Sequence, residues 1–163
     1  MSEMIADPHD GMVSFQQALL AGIVDIHPVK PHHDLYSHLD VPTPGVRRLT
    51  YVRLADDGKT VTAFLACIVN GKIEGIPCVS LGYAVPESMR NNGNAKAIMR
   101  DVIKDLIKQV EGSLYFESVV GIENLASQRV SEVVLEVPRE EIVDSASKLP
   151  AYRYTKRVDF TNN

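Results

Sequence analysis

The sequence has few cysteines, no long apolar run and no excess of basic residues, and each shortage excludes a class of protein. Two cysteines among 163 residues are too few for a disulfide framework or a cysteine zinc site. No apolar run reaches the roughly 20 residues that cross a bilayer, so we expect no transmembrane segment and no membrane partner. The 21 acidic residues outnumber the 17 basic ones, which disfavours nucleic acid as a partner.

The beginning of the chain also lacks the pattern of a secretory signal. Residues 1–10 are acidic and contain no apolar h-region. At roughly 150 residues per domain, the length of 163 residues indicates one domain. We therefore expect a cytoplasmic, single-domain protein in which residues 1–12 form a flexible start.

The first third of the chain is predicted to hold one helix and one irregular segment. Apolar residues between Val13 and about Asp25 fit one broad helical face, with Ser14 as the candidate N-cap. Residues 27–47 are predicted to be irregular because prolines interrupt them repeatedly. Those prolines are Pro28, Pro31, Pro42 and Pro44.

Three antiparallel strands are predicted to follow the irregular segment. Alternating apolar residues place them at residues 48–54, 61–69 and 72–85. Asp57-Gly58 and Asn70-Gly71 are the predicted turns, because Asp-Gly and Asn-Gly favour the left-handed backbone of tight hairpins. This part of the chain is therefore predicted to be a meander.

The spacing of apolar residues then changes from that of strands to that of helices. It predicts an amphipathic helix over residues 93–110, which Gly112 ends, and a buried strand over residues 114–122. Together with the preceding strand these form a βαβ unit at residues 78–122, whose two strands are parallel with a right-handed crossover. A second helix at residues 124–134 and a closing strand from Tyr152 to Phe160 complete an α/β fold with a mixed, mostly antiparallel sheet.

The loop before the long helix carries the clearest sign of chemistry. It reads Arg90-Asn91-Asn92-Gly93-Asn94-Ala95. The start of a helix presents unpaired N–H groups and the positive end of the helix dipole, and small residues let a phosphate approach the backbone. Arg90 adds a full positive charge. The loop therefore predicts a pyrophosphate cradle, with a strand-to-helix turn that binds nothing as the alternative.

This loop resembles the Arg/Gln-x-x-Gly-x-Gly/Ala signature of the GNAT superfamily of acetyl-CoA-dependent N-acetyltransferases. Residues 82–86 look like that family's fourth strand, and residues 121–132 resemble the end of its fifth strand and the helix that follows. The resemblance covers residues 48–134 and implies a GNAT-like splayed sheet flanked by helices. It also implies one acyltransferase domain, with a helix and an irregular loop over residues 1–47 and a core over residues 48–163.

The resemblance implies acetyl-CoA as co-substrate and no metal. The acceptor would be a primary amine of a small molecule or a protein, which attacks the thioester directly in a ternary complex. A backbone N–H near Tyr83 would polarise the thioester carbonyl. Many relatives pair through edge strands, so a homodimer is an open expectation. The implied cofactor-binding residues are Ala84, Val85, Arg90, Asn91, Asn92, Gly93, Asn94, Ala95, Asn124 and Ser127.

Two positions depart from the family's catalytic pattern. Ser131 stands where the family frequently has a tyrosine acid, and Val79 stands where it frequently has a glutamate base. Glu117, in an otherwise apolar strand, is a candidate base, although a structural ion pair is an alternative interpretation. We name Glu117, Ser131 and Tyr83 as candidate catalytic residues. A non-catalytic CoA-binding protein with a sensing or interaction role is the second hypothesis, and an unrelated ligand-binding α/β domain is the third.

A group of histidines lies in the segment predicted to be irregular. Because their spacing with Asp34 matches no standard metal site, we expect a substrate-side loop or a plain solvated loop instead of a metal site. The histidines are His27, His32, His33 and His38.

Two further patterns receive structural interpretations. Cations recur every four residues along the long helix, and they are predicted to form a solvated face whose first two members help to hold phosphates. These cations are Lys96, Arg100, Lys104 and Lys108. Cys67 and Cys78 are predicted to be buried small apolar side chains that lie too far apart for a disulfide.

Overall fold

The structure is a computed structural model that describes residues 7–145 and 147–160. The described part of the chain contains three α-helices, a short 3-10 turn at Glu87–Met89 and eight strands. The helices are α1 (Pro8–Leu20), α2 (Asn94–Gln109) and α3 (Leu125–Leu135). The strands are β1 (His27–Pro28), β2 (Leu35–Thr43), β3 (Val46–Leu54), β4 (Val61–Ile73), β5 (Ile76–Ala84), β6 (Gly112–Gly121), β7 (Arg139–Val143) and β8 (Pro150–Phe160).

The strands form one sheet in the order β1-β2-β3-β4-β5-β6-β8-β7. Every neighbouring pair is antiparallel except β5 and β6, which run parallel and are connected through α2. This arrangement confirms the predicted mixed, mostly antiparallel sheet and the parallel strands of the βαβ unit. No helix in the described residues is long and apolar enough to cross a membrane.

The helices pack on both faces of the sheet. Successive residues of a strand point to opposite faces, so Leu65 and Phe64 of β4 belong to different cores. Leu65 lies in the larger core, which contains residues of α2 and α3 such as Met99. Phe64 lies in the smaller core beneath α1, where its ring centroid is 6.2 Å from that of Phe15. The two faces of the sheet are therefore distinguished by their helices.

The prediction for α1 was wrong in its boundaries. The helix begins at Pro8, and the side chain of Asp7 caps it by accepting a hydrogen bond from the His9 N–H at 2.9 Å. Proline fits this position because the first helical N–H needs no partner within the helix. Ser14, the predicted N-cap, lies inside the helix. Of the predicted flexible start, residues 8–12 are helical, and residues 1–6 lie outside the described residues.

The prediction that residues 27–47 are irregular was also wrong. β1 and β2 pair with each other, and β2 pairs with β3, with His38 opposite Thr50. The sheet tolerates the prolines because Pro28 lies in a two-residue edge strand and Pro42 lies beyond the regular part of the β2–β3 ladder. The N-terminal segment therefore extends the sheet.

The hairpin between β4 and β5 turns later than predicted. β4 continues through Asn70-Gly71, and the turn lies at Glu74-Gly75, where both residues have a positive φ of 51° and 79°. Asn70-Gly71 instead coincides with a register shift between Val69 and Lys72, so the left-handed Gly71 serves a bulge. The Asp57-Gly58 turn is confirmed, since the Gly58 N–H donates to the Ala55 carbonyl at 2.9 Å.

The second half of the chain follows the prediction closely. α2, β6, α3 and β8 lie within two residues of their predicted boundaries. β7, which pairs with β8 at the sheet edge, was not predicted. Its sequence, Arg139-Glu-Glu-Ile-Val, has little of the apolar alternation that marks a half-buried strand.

Candidate active site

The parallel strands β5 and β6 separate and leave a V-shaped gap in the sheet. They pair at Cys78 with Tyr115, at Val79 with Phe116 and at Ser80 with Glu117. Both strands continue beyond the last of these pairs, to Ala84 and Gly121, but within the described residues they no longer pair with each other. A splayed sheet was predicted, and the Ser80–Glu117 pair marks the vertex of the V.

A cavity of about 720 Å³ occupies this gap. Residues 81–85, at the end of β5 and just beyond it, form one wall, and residues 118–121 of β6 form the other. The cavity also contacts the starts of all three helices, including Asp7 and His9 of the α1 start. It therefore opens toward both faces of the sheet, because α1 packs on one face and α2 and α3 pack on the other.

The loop that is predicted to be a cradle and the first turn of α2 line the cavity. Asn91 and the N-cap residue Gly93 have positive φ of 65° and 76°. The Asn94 side chain donates to the Met89 carbonyl at 2.9 Å, which fixes the loop against the helix start. A Cβ on Gly93 would meet no atom within 4 Å, so the backbone conformation, and not lack of space, favours glycine there.

The N-terminus of α2 has no side-chain cap within the described residues, whereas the side chains of Asp7 and Asn124 cap α1 and α3. The first N–H of α2 that is bonded within the helix is that of Ala97, which donates to the Gly93 carbonyl at 3.0 Å. The amides of Asn94, Ala95 and Lys96 precede this bond, and all three residues line the cavity. An uncapped helix start beside a cavity offers an anion backbone N–H groups and the positive end of the helix dipole.

Three cations contribute to the cavity wall. Arg90 and Lys96 lie on the α2 side, and Arg129 lies on α3. The guanidinium of Arg90 reaches back to the Val85 carbonyl at 3.4 Å. Of the predicted helical stripe, Lys96 lines the cavity but Arg100 does not, while Lys104 and Lys108 line a separate cavity of about 190 Å³.

The start of α3 brings the predicted Asn124 and Ser127 to the cavity. The Asn124 side-chain oxygen accepts from the Ser127 N–H at 3.1 Å and caps the helix. This bond uses the oxygen and leaves the amide nitrogen for other partners. All ten predicted cofactor-binding residues except Asn92 line the cavity, and Asn92 lies between two that do.

A hydroxyl network links β5, β6 and α3 on the face of the sheet that α2 and α3 cover. The Tyr83 hydroxyl donates to the Ser127 carbonyl at 2.7 Å and lies 3.1 Å from the Ser131 Oγ, which lies 2.9 Å from the Ser118 Oγ. Burial raises the pKa of Tyr83 above its ordinary value, although the serine hydrogen bonds oppose this shift. Tyr83, Ser118 and Ser127 line the cavity, whereas Ser131 is fully buried behind them.

Glu117 lies at the vertex on the opposite face. Phe116 belongs to the larger core, so the alternation of the strand places Glu117 on the face that α1 covers. Its Oε1 accepts from the Ser80 Oγ at 2.8 Å, and its Oε2 is 3.9 Å from the Cys78 Sγ. Burial, and secondarily the charge of Glu117, raises the pKa of Cys78 to about 12. Glu117 and Tyr83 therefore flank the vertex from opposite faces, and of the two only Tyr83 lines the cavity.

The histidine-rich segment is not part of this cavity, and none of the described residues from 27 to 47 lines it. The His38 ring donates to the Asp25 carbonyl at 2.7 Å, and Asp34 pairs with Arg53. Groups of three or more metal-ligating side chains are absent from the described residues. The start of α1, which is helical and not the predicted flexible segment, lines the cavity instead of the histidine-rich segment. The Asp7-Pro8 pair is the sequence signal for this helix start.

The structure confirms the prediction for the two cysteines. Cys67 and Cys78 are both free and buried. Cys67 lies on β4 opposite Leu81, and burial raises the pKa of its thiol well above the ordinary range. A protonated, buried thiol is a poor nucleophile, so neither cysteine is a candidate for covalent catalysis.

Solved structures share this fold at low sequence identity. One is a GNAT-family acetyltransferase from Bordetella pertussis, with a TM-score of 0.52 and 12% identity over 66% of this chain and 64% of that one. An aminoglycoside acetyltransferase in complex with coenzyme A and kanamycin has a TM-score of 0.53 and 12% identity over 67% of this chain and 66% of that one. The NatC complex bound to Gag peptide and CoA has a TM-score of 0.53 and 17% identity over 69% of this chain and 71% of that one.

Comparison of sequences alone does not detect these similarities. No protein-family model and no curated protein matches the chain. The chain spans slightly less than two thirds of the first two structures named above, at 64% and 66% of their lengths. What the structural likeness establishes is the architecture: a mixed sheet that splays between two parallel strands, with a helix start at the opening. The chain has the fold of the GNAT acetyltransferases.

Proposed function

We propose that the chain is an N-acetyltransferase that moves an acetyl group from acetyl-CoA to a primary amine in a ternary complex. The observation that carries this proposal is the uncapped start of α2 at the opening of the V between β5 and β6. The fold supports it, because two similar structures were solved with coenzyme A. Kanamycin and a peptide in those structures direct us to small-molecule and peptide amines as the acceptor classes to test.

Acetyl-CoA would lie in the cavity in one direction. Its diphosphate would lie on the amides of residues 94–96 beside Arg90, where backbone donors and a full charge coincide. The pantetheine arm would then run along residues 83–85, at the end of β5 and just beyond it, where no described strand pairs with the backbone on the β6 side. This path brings the thioester toward the vertex, where a strand N–H would stabilise charge on its oxygen.

Glu117 is the proposed base. Most primary amines are protonated at neutral pH and must lose a proton before they can attack. The Glu117 carboxylate lies at the vertex on the α1 face, so it would accept that proton from an amine that enters between α1 and the sheet. The nitrogen then forms a bond to the thioester carbon and loses its remaining extra proton to solvent, while the carbon–sulfur bond breaks and CoA leaves as a thiolate.

Tyr83 is the proposed proton donor to that thiolate. Its hydroxyl belongs to the face opposite Glu117, and Ser131 and Ser127 fix its position through hydrogen bonds of 3.1 and 2.7 Å. Its raised pKa keeps the phenol protonated at neutral pH, so that a proton is available. Ser131, which does not line the cavity, acts in this proposal by positioning Tyr83.

Thiol release from acetyl-CoA tests the proposal. We expect the purified protein to release CoA in the presence of at least one amine from a panel of diamines, aminoglycosides and short peptides with free N-termini. Mass spectrometry should show an acetyl group on the amine consumed. Tight acetyl-CoA binding without turnover on any amine would contradict the proposal and favour a CoA-binding protein with a sensing or interaction role.

A further inference from the structure

Arg129 is a cation of the cavity wall to which the proposed function assigns no role. It lies in the second turn of α3, across the cavity from the two cations on the α2 side. The carboxylate one turn further along α3, Glu132, is engaged elsewhere: its Oε1 accepts from the Tyr154 hydroxyl at 3.2 Å and lies 4.0 Å from the Arg139 guanidinium. Among the described residues, no carboxylate pairs with Arg129.

The charge around the cavity is opposite in sign to that of the whole chain. The chain has a net charge of −4, yet among the described residues Arg90, Lys96 and Arg129 line the cavity against a single carboxylate, that of Asp7. Asp7 belongs to the start of α1, where it accepts from the His9 N–H. The end of the cavity between α2 and α3 is therefore cationic on both walls, which fits a ligand with more than one anionic group.

CoA carries such a pair of groups, a diphosphate within the chain of the molecule and a separate monoester phosphate on the ribose 3′ oxygen. The start of α2 and Arg90 suffice for the diphosphate. We propose that Arg129 binds the 3′-phosphate, so that α3 recognises the group that distinguishes CoA from dephospho-CoA. A guanidinium suits a terminal phosphate because its N–H groups donate in pairs to two oxygens. This inference rests on the proposed function, since it needs CoA in the cavity.

The experiment compares CoA with 3′-dephospho-CoA by calorimetric titration of the full chain and of Arg129→Gln. The parent should bind CoA about fivefold more tightly than dephospho-CoA, as befits one exposed charge-assisted contact. Arg129→Gln should bind both ligands equally, with its affinity for dephospho-CoA unchanged. Arg100→Gln is the matched control, because Arg100 is an exposed helical arginine that does not line the cavity, and it should keep the parent's preference.

The outcomes separate this inference from the proposed function. A parent that binds the two ligands with equal affinity would overturn the role of Arg129 while acetyl-CoA binding stands. Equal weakening of both ligands by Arg129→Gln would also overturn it, because the guanidinium would then act on the diphosphate or on the fold. Binding of neither ligand by the folded parent would remove the proposed function and this inference together.

Discussion

Glu117 is the side chain on which proton removal from the amine depends in this account. Glu117→Gln keeps the size and the hydrogen bond to Ser80 but cannot accept the proton, so we expect kcat to fall about 100-fold. The KM for acetyl-CoA should change little, because the cradle lies on α2. Glu111→Gln, at an exposed carboxylate near the end of α2, should behave as the parent. A kcat for Glu117→Gln within twofold of the parent would exclude Glu117 as the base.

Tyr83 offers a second test at the scale of one residue. Tyr83→Phe removes the phenolic proton, and we expect kcat to fall about tenfold. Because burial raises the pKa of Tyr83, ionisation of this phenol should not reduce the parent's kcat below about pH 10. Ser131→Ala loses one contact but keeps the phenol, so it should retain more activity than Tyr83→Phe. Equal activity of Tyr83→Phe and the parent across the pH range would refute the donor role.

The start of α3 has a structural role, the capping of the helix by Asn124, and in the proposed function it also contacts acetyl-CoA. Asn124→Ala removes the cap on the Ser127 N–H and should lower the free energy of unfolding by about 1 kcal/mol in urea titrations. Asn124→Asp keeps a capping oxygen but loses the amide donors, so it should retain stability and weaken acetyl-CoA binding. Full acetyl-CoA affinity in Asn124→Asp would show that Asn124 serves the helix alone.

The elements around the βαβ unit were predictable because their sequence signals are local and mutually consistent. The apolar spacing of α2 and the buried run of β6 each specify one structure. The Asn70-Gly71 turn was misplaced because a left-handed pair suits a bulge as well as a hairpin turn, and only the pairing of Ile73 with Ile76 decides between them. Which of two turn signals ends a strand depends on contacts across the hairpin.

The parts of the site that depend on local backbone geometry were predictable from the sequence. The parts that depend on packing between distant residues were not. The cradle around Gly93 follows from a short motif before a helix. The walls from Asp7 of α1 and Arg129 of α3 depend on how those helices dock on the sheet, and a single surface arginine carries no sequence signal. The contact between Tyr83 and Ser131 likewise joins residues 48 positions apart.

At the scale of the whole molecule, the core holds ionisable groups in their neutral forms. Burial raises the pKa values of Tyr51, Tyr83, Tyr154, Cys67 and Cys78 above their ordinary values. The unfolded chain releases these protons at lower pH than the folded chain does. The resulting stabilisation is complete below about pH 8, and it is lost progressively as pH rises from the unfolded values near 9 and 10 toward the higher folded values.

Thermal unfolding between pH 7 and pH 11 measures this dependence. We expect Tm to change little up to about pH 8 and then to fall steadily. Cys67→Ala removes one buried thiol and should make the fall shallower, even though its Tm at pH 7 is lower. A Tm that stays constant from pH 8 to pH 10.5 would contradict the burial of these groups.

In the proposed function, the two substrates use different faces of the sheet. The cradle and the hydroxyl network lie with α2 and α3, whereas Glu117 lies on the face that α1 covers. Acetyl-CoA and the amine would therefore approach the vertex from opposite sides, as direct transfer in a ternary complex requires. The proposed function depends on the V between β5 and β6 and on the uncapped start of α2 at its opening.

The most direct test is calorimetric titration of acetyl-CoA into the purified chain, repeated with Arg90→Glu and Gly93→Asp. Both substitutions place a carboxylate at the start of α2, where it would repel the diphosphate. We expect micromolar binding by the parent and no binding by either variant, with circular dichroism showing that all three proteins are folded. Absence of binding by the folded parent would contradict the proposed function, and the similarity to acetyltransferases would then concern the fold alone.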